Sequence, residues 1–295
     1  MDWKREYFNA MFPFDDRVME LPYFIKGRLS NREILDNLVP DRRKPNIKLA
    51  EELLKKNLPQ RLYKYKGIDD NGYSIDNFEN DTLWLSHPIS FNDPFDSIAR
   101  NDTSVLVELY NELVDAKIIT EENAEFLKEL SWHVCISRPQ RSFLVGCLSE
   151  RNDSVLMWSH YADSHKGFCI GYDANEIYES NIIRKDIYPV LYYDLDQIPF
   201  EDSAIGLDYS GLYSVLRKSR QWSYEQEWRI VFSYFRNMGV GNIQLPKAKS
   251  VYLGVNITDE NKKCIIEIGK KKGIEIFESE LNIFDGTIQF KKISY

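Results

Sequence analysis

The chain has 295 residues and a formal charge of −8; 43% of its residues are hydrophobic and 14% aromatic. That much apolar material supports a packed core and excludes a disordered or fibrous chain. The acidic balance argues against broad adhesion to nucleic acid or anionic lipid, although 38 Lys and Arg leave room for a local basic groove.

The opening "MDWKREYFNAMFPFDDRVME" carries charges where a signal peptide needs its apolar stretch. Nowhere does an apolar run reach the roughly 20 residues that span a bilayer. The expectation is a soluble, cytoplasmic protein with no membrane partner. Cys135, Cys147, Cys169 and Cys264 show no CxxC spacing and read as buried free thiols.

In chain order, residues 1–60 read as a helical N-terminal segment, with "NREILDNLV" and "NIKLAEELLKKNL" at helical spacing around "PDRRKP". Residues 61–295 read as one α+β core. "RLYKYKGI" and "DTLWLSHPI" are strands bracketing a polar turn, "DDNGYSIDNFEN". Two helices broken near Ile119 follow, then a strand, "FLVGCLSE", and a helix capped by Asp153 or Ser154. "KGFCIGYD" and "YPVLYYD" are strands, and "GLYSVLRKSRQW" is a helix. The tail alternates a strand, "SVYLGVNI", a helix, "TDENKKCIIEIGKKKG", and two last strands. The irregular mixture of strands and helices predicts α+β with a mixed or antiparallel sheet.

Alternation over "WSYEQEWRIVF" sends Trp222, Tyr224, Trp228, Ile230 and Phe232 to one strand face, with Gln226 the only polar member. Glu225, Glu227 and Arg229 share the other face, where Arg229 can pair with either carboxylate. A second polar and aromatic cluster, "LWLSHPISFNDPFD", ends a strand at Ser86 and His87 and turns at Asn92-Asp93-Pro94. It is either a tight corner or a ligand loop using Ser86, His87, Asn92 and Asp96. On the helix before "SHKGFCIGYD", Met157, His160 and Tyr161 lie together, and a hydrogen-bonded core role is the plainer reading of His160. The chain lacks a nucleophile elbow, a Walker loop, a dinucleotide fingerprint and a zincin pair. Carboxylate-centred chemistry is what remains.

The words "LYKYKGI", "LWLSHPISFNDPFD", "LMWSHYADSHKGFCIGYD" and "WSYEQEWRIV", within residues 62–232, resemble the bacterial family known as domain of unknown function 2971. More distantly, their order is similar to the ADP-ribosyltransferase superfamily. That resemblance implies an ADP-ribosyltransferase-like core, NAD as co-substrate, and transfer to a protein or nucleic acid, or hydrolysis by water. It implies Glu227 as the ribose-directed catalytic carboxylate and Glu225 as its acceptor-side helper. Lys64 falls where a His or Arg holds the NAD ribose; it offers one ammonium in place of a ring or a planar fork. Tyr63 and Tyr65 flank it, Ser86 fills the next position, and His87, Asn92, Asp96, His160 and Tyr161 complete the implied cofactor site. A bacterial toxin or phage-defence effector, with an antitoxin or other inhibitory partner, is the implied setting. The rival readings are a metal-dependent hydrolase or nuclease using Asp93, Asp96, Glu150, Glu225 and Glu227, and a non-enzymatic binding module with an aromatic contact face.

Overall fold

The computed structural model describes residues 2–12, 44–98, 104–135, 138–194, 207–233 and 241–295. The chain divides into two compact units interleaved in sequence. Residues 1–57, 87–143 and 191–220 make the first; residues 58–86, 144–190 and 221–295 make the second. The expected helical segment therefore shares a unit with two stretches that the sequence reading places in the core. Its helix at 31–39 lies outside the described residues.

The strands in chain order are β1 (Arg61–Lys66), β2 (Thr82–Leu85), β3 (Phe143–Ser149), β4 (Phe168–Asp173), β5 (Ile187–Pro189) and β6 (Leu191–Tyr193). They continue as β7 (Arg217–Ser219), β8 (Glu227–Ser233), β9 (Gly241–Gln244), β10 (Ser250–Leu253), β11 (Glu275–Asn282) and β12 (Thr287–Lys292). The class is α+β, as expected: a mostly antiparallel sheet with helices interspersed.

In the second unit an 8-stranded sheet runs β12-β11-β10-β4-β1-β3-β8-β5. The pairs β1–β4, β1–β3, β10–β4, β11–β12 and β5–β8 are antiparallel, and β10–β11 is parallel. The parallel step needs a crossover, supplied by the helix Asp259–Lys272. Its sequence specifies both ends: Thr258 accepts from the Asn261 N–H, Gly273 takes φ 62° just past the end, and three lysines occupy the last turn.

β4 and β8 are buried along nearly their whole length. Both faces of the sheet are therefore covered near its centre. On one face Tyr65, Met157, Trp158, Cys169 and Tyr252 form a core, with Tyr63, Tyr161 and Tyr224 packed against it. Trp158 is fully buried and its indole N–H donates to the Asn152 carbonyl at 2.7 Å. On the other face β2, paired with β9, lays Leu83 and Leu85 over Gly146, where any Cβ would meet Leu83 at 2.5 Å.

In the first unit, helices Trp3–Met11 and Ile47–Asn57 pack together, and Phe8 and Phe12 sit against Tyr213. The Arg217 guanidinium lies 4.3 Å from the Tyr213 ring centre. β6 and β7 form a short parallel pair. Helices Ser104–Asp115 and Glu121–Cys135 confirm the expected break near Ile119 and are joined by a Tyr110–Ser131 hydrogen bond of 2.9 Å.

Several expected elements differ. The "polar turn" contains a helix, Tyr73–Glu79, opened by Asp69, which accepts from the Tyr73 and Ser74 N–H groups. "YPVLYYD" is split at Val190 into β5 and β6, which belong to different sheets. The helix in "GLYSVLRKSRQW" ends at Val215 and β7 follows at once. Among the described cysteines, Cys147, Cys169 and Cys264 are free, and only Cys169 is fully buried.

Candidate functional site

The strand expected over residues 222–232 starts five residues late. Arg220–Glu225 is a 3₁₀ turn, Gln226 adopts φ 42°, and only then does β8 begin. The left-handed residue breaks the alternation between Glu225 and Glu227, so the two glutamates are not strand neighbours on one face. Gln226, the odd polar member of the supposed apolar face, was the one sequence signal of this break. Its N–H is used by Ser223 and its carbonyl by the Glu150 N–H, which fixes the kink against the end of β3.

The two carboxylates consequently have different surroundings. Glu227 is 3% exposed, and both of its oxygens receive Arg229: Nε to Oε1 at 2.9 Å and Nη2 to Oε2 at 3.0 Å. Arg229 is itself fully buried, so this is a bidentate pair held inside the sheet. Of the two pairings open to Arg229 in the sequence, the one with Glu227 forms. Glu225 is also buried, and the Tyr161 hydroxyl donates to its Oε1 at 2.6 Å. The Ser149 hydroxyl donates to the Glu225 carbonyl at 2.6 Å, anchoring the backbone on β3.

Around the Tyr161–Glu225 bond lies an aromatic group that reaches the surface. His160 is exposed, against the expectation of a core histidine, and its Nδ1 is 3.0 Å from the Tyr224 hydroxyl. Trp222 and Tyr224 pack edge-on to the His160 ring. Sequence reading placed Trp222 and Tyr224 in the core; the 3₁₀ turn instead leaves both half-buried. The helix Val155–Tyr161 that carries His160 and Tyr161 is capped by Ser154. It is followed by three consecutive left-handed residues, Asp163, Ser164 and His165. His165 stacks on Trp158 and bonds Ser159, and burial lowers its pKa.

The remaining expected residues divide as follows. Tyr63 and Tyr65 stand on the same side of β1 as this group: Tyr63 contacts Tyr252, and the buried Tyr65 hydroxyl donates to the Arg151 carbonyl at 2.9 Å. Burial pushes both phenols far above the usual tyrosine range. Alternation sends Lys64 the other way, and its Nζ donates to the Cys147 carbonyl at 3.0 Å. Burial, and then the charge of Glu227, drive the Cys147 thiol well above the ordinary range, which makes it a poor nucleophile. Ser86 bridges to Val145 through both backbone bonds.

His87, Asn92 and Asp96 belong to the first unit. There the His87 Nδ1 is 2.9 Å from the Phe143 carbonyl, and Asn92 is exposed. Asp96 is 1% exposed, accepts from Ser97 at 2.6 Å and faces Lys218 at 3.7 Å. Gln140 donates to the carbonyls of Pro94 and Asp96 and locks this corner from inside. Asp96 thus has the surroundings of a structural residue. Among the described residues no group of three or more His, Cys, Asp or Glu is gathered as a metal site would need. The five carboxylates of the hydrolase reading are divided between the units.

With this geometry in view, a family model described as "Protein of unknown function (DUF2971)" matches residues 157–230, from the helix bearing His160 and Tyr161 into β8. The match supports, over that segment, the family expected from the sequence. No curated protein and no solved structure matches the chain.

Proposed function

We propose that the protein is an NAD-consuming enzyme of ADP-ribosyltransferase type, with its reacting centre at Glu225. One observation carries the reading: a buried glutamate accepts a hydrogen bond from Tyr161, whose ring meets the exposed His160 edge-on, and His160 in turn packs with the half-buried Trp222 and Tyr224. Cleavage of the nicotinamide–ribose bond sends the bonding pair to nicotinamide and leaves an oxocarbenium-like ribose. A fixed carboxylate stabilises that charge, as in glycoside hydrolysis. The acceptor oxygen then attacks the ribose carbon and loses its proton. Aromatic faces beside the carboxylate suit the cationic nicotinamide ring of the substrate.

In this proposal the ribose-directed role expected of Glu227 passes to Glu225, and Glu227 becomes structural. Glu227, with both oxygens on Arg229, fixes the start of β8, and Glu225 is the residue next to the ring cluster. The mixed, mostly antiparallel sheet is compatible with a transferase core. A metal-dependent hydrolase is less well supported, because its carboxylates are not gathered.

The test uses NAD labelled in its adenylate half, incubated with purified protein and with a lysate. Nicotinamide release and transfer of label are followed together, and label that stays soluble distinguishes hydrolysis from transfer. Glu225→Gln should lower turnover by about 100-fold with an unchanged melting curve. No nicotinamide release, no transfer and no bound dinucleotide would sink the reading.

A further inference from the structure

β1 carries two lysines, Lys64 and Lys66, two residues apart and so on the same side of the strand. Both are half-buried. Lys64 donates to the Cys147 carbonyl at 3.0 Å, and Lys66 donates to Asn77 Oδ1 at 2.8 Å. Both acceptors are neutral. Among the described residues neither ammonium has a carboxylate at ion-pair distance. The negative charge that reaches Lys66 is that of Asp69, whose oxygens are engaged by the Tyr73 and Ser74 N–H groups.

Five other lysines of the same unit are paired. Lys249, Lys262, Lys271, Lys272 and Lys292 each sit on a glutamate or aspartate. Each ammonium has three donors, and one of each is used by the protein. Partly buried like charges without a counter-ion are unfavourable, and burial followed by the Lys64 charge lowers the Lys66 pKa to about 8.

The setting of Lys66 is built rather than accidental. Asn77 is 5% exposed, and its amide donates to Thr82 Oγ1 at 3.0 Å and Asn242 Oδ1 at 3.1 Å. Those two bonds fix which atom of the amide faces the amine. We propose that Lys64 and Lys66 form a binding site for the phosphate group of a small phosphate-bearing molecule, with Asn77 positioning the Lys66 amine. An oxyanion there accepts the donors left over and removes the like-charge repulsion. Recessed amines suit a small ester better than a duplex backbone. The site is independent of the NAD proposal, because the Glu225 cluster packs against the Tyr63 and Tyr65 side of β1.

Pyridoxal 5′-phosphate tests this on the whole protein. Its aldehyde condenses with an unprotonated amine, releasing water, and borohydride fixes the imine as a secondary amine that peptide mapping locates. Lys66 should be labelled several-fold faster than the exposed Lys55 and Lys56. Pyridoxal without its phosphate should keep only the smaller preference that the lowered amine pKa gives, and inorganic pyrophosphate should protect Lys66. In a Lys64→Gln variant with an unchanged melting curve, the advantage of the phosphate-bearing reagent should fall. Labelling of Lys66 no faster than of the exposed lysines, or equal with both reagents and unprotected by pyrophosphate, overturns the proposal.

Discussion

Glu227 and Arg229 are the residues whose loss should be felt most directly. A carboxylate only 3% exposed has both oxygens held by one guanidinium. Arg229→Met takes the guanidinium away from a buried carboxylate, at a cost of about 3–5 kcal/mol. Urea denaturation measures this. Adding Glu227→Gln to the same chain should recover part of the loss, because the second change removes the carboxylate's charge. This pairing was legible in the sequence, since alternation puts residues 227 and 229 on one strand face. The aromatic company of Glu225 was not legible, because the same alternation was carried five residues too far, across Gln226.

At the level of elements, that error has a physical content. A strand pattern in sequence records which side chains are apolar, and a 3₁₀ turn of aromatics reads the same way until a left-handed residue is noticed. Gln226 at φ 42° is tolerable, whereas a β-branched residue there is not. Gln226→Val should cost about 1–3 kcal/mol by the same denaturation assay. Where local signals and burial agreed, the reading was close: β1, β3, β4 and the capped helix Asp259–Lys272 stand where patterning placed them. Where a short helix hid in a polar run, at Tyr73–Glu79, only Asp69, whose carboxylate accepts from its first two N–H groups, could have marked it. The corner "SFNDPFD" shows a further limit: turn chemistry was visible, but that Gln140 would bury Asp96 was not.

For the molecule as a whole, Lys66 sets a pH dependence. Its folded-state pKa of about 8 lies below the value of roughly 10.4 for an unfolded lysine. Between these values the unfolded chain binds more protons, so stability rises with pH. The expected gain is about 1–3 kcal/mol between pH 8 and 10, and Lys66→Met should flatten it in melts taken across that range. Above pH 10 the trend reverses. Tyr63, Tyr65 and Tyr172 have raised folded-state pKa values, and the stability they contribute is lost once unfolded tyrosines ionise. A fragment of residues 157–230 should remain unfolded, with no dispersed amide spectrum. It takes pieces of both units and completes neither.

The threading of the chain also orders its synthesis. Phe8 and Phe12 emerge from the ribosome some two hundred residues before Tyr213, against which they pack. β1 needs β4 and β3 on its two sides, and the parallel neighbour of β10 arrives after a whole helix. Through most of translation, therefore, apolar faces of both units wait without partners. Nascent chains arrested before residue 220 should depend on chaperones far more than completed ones.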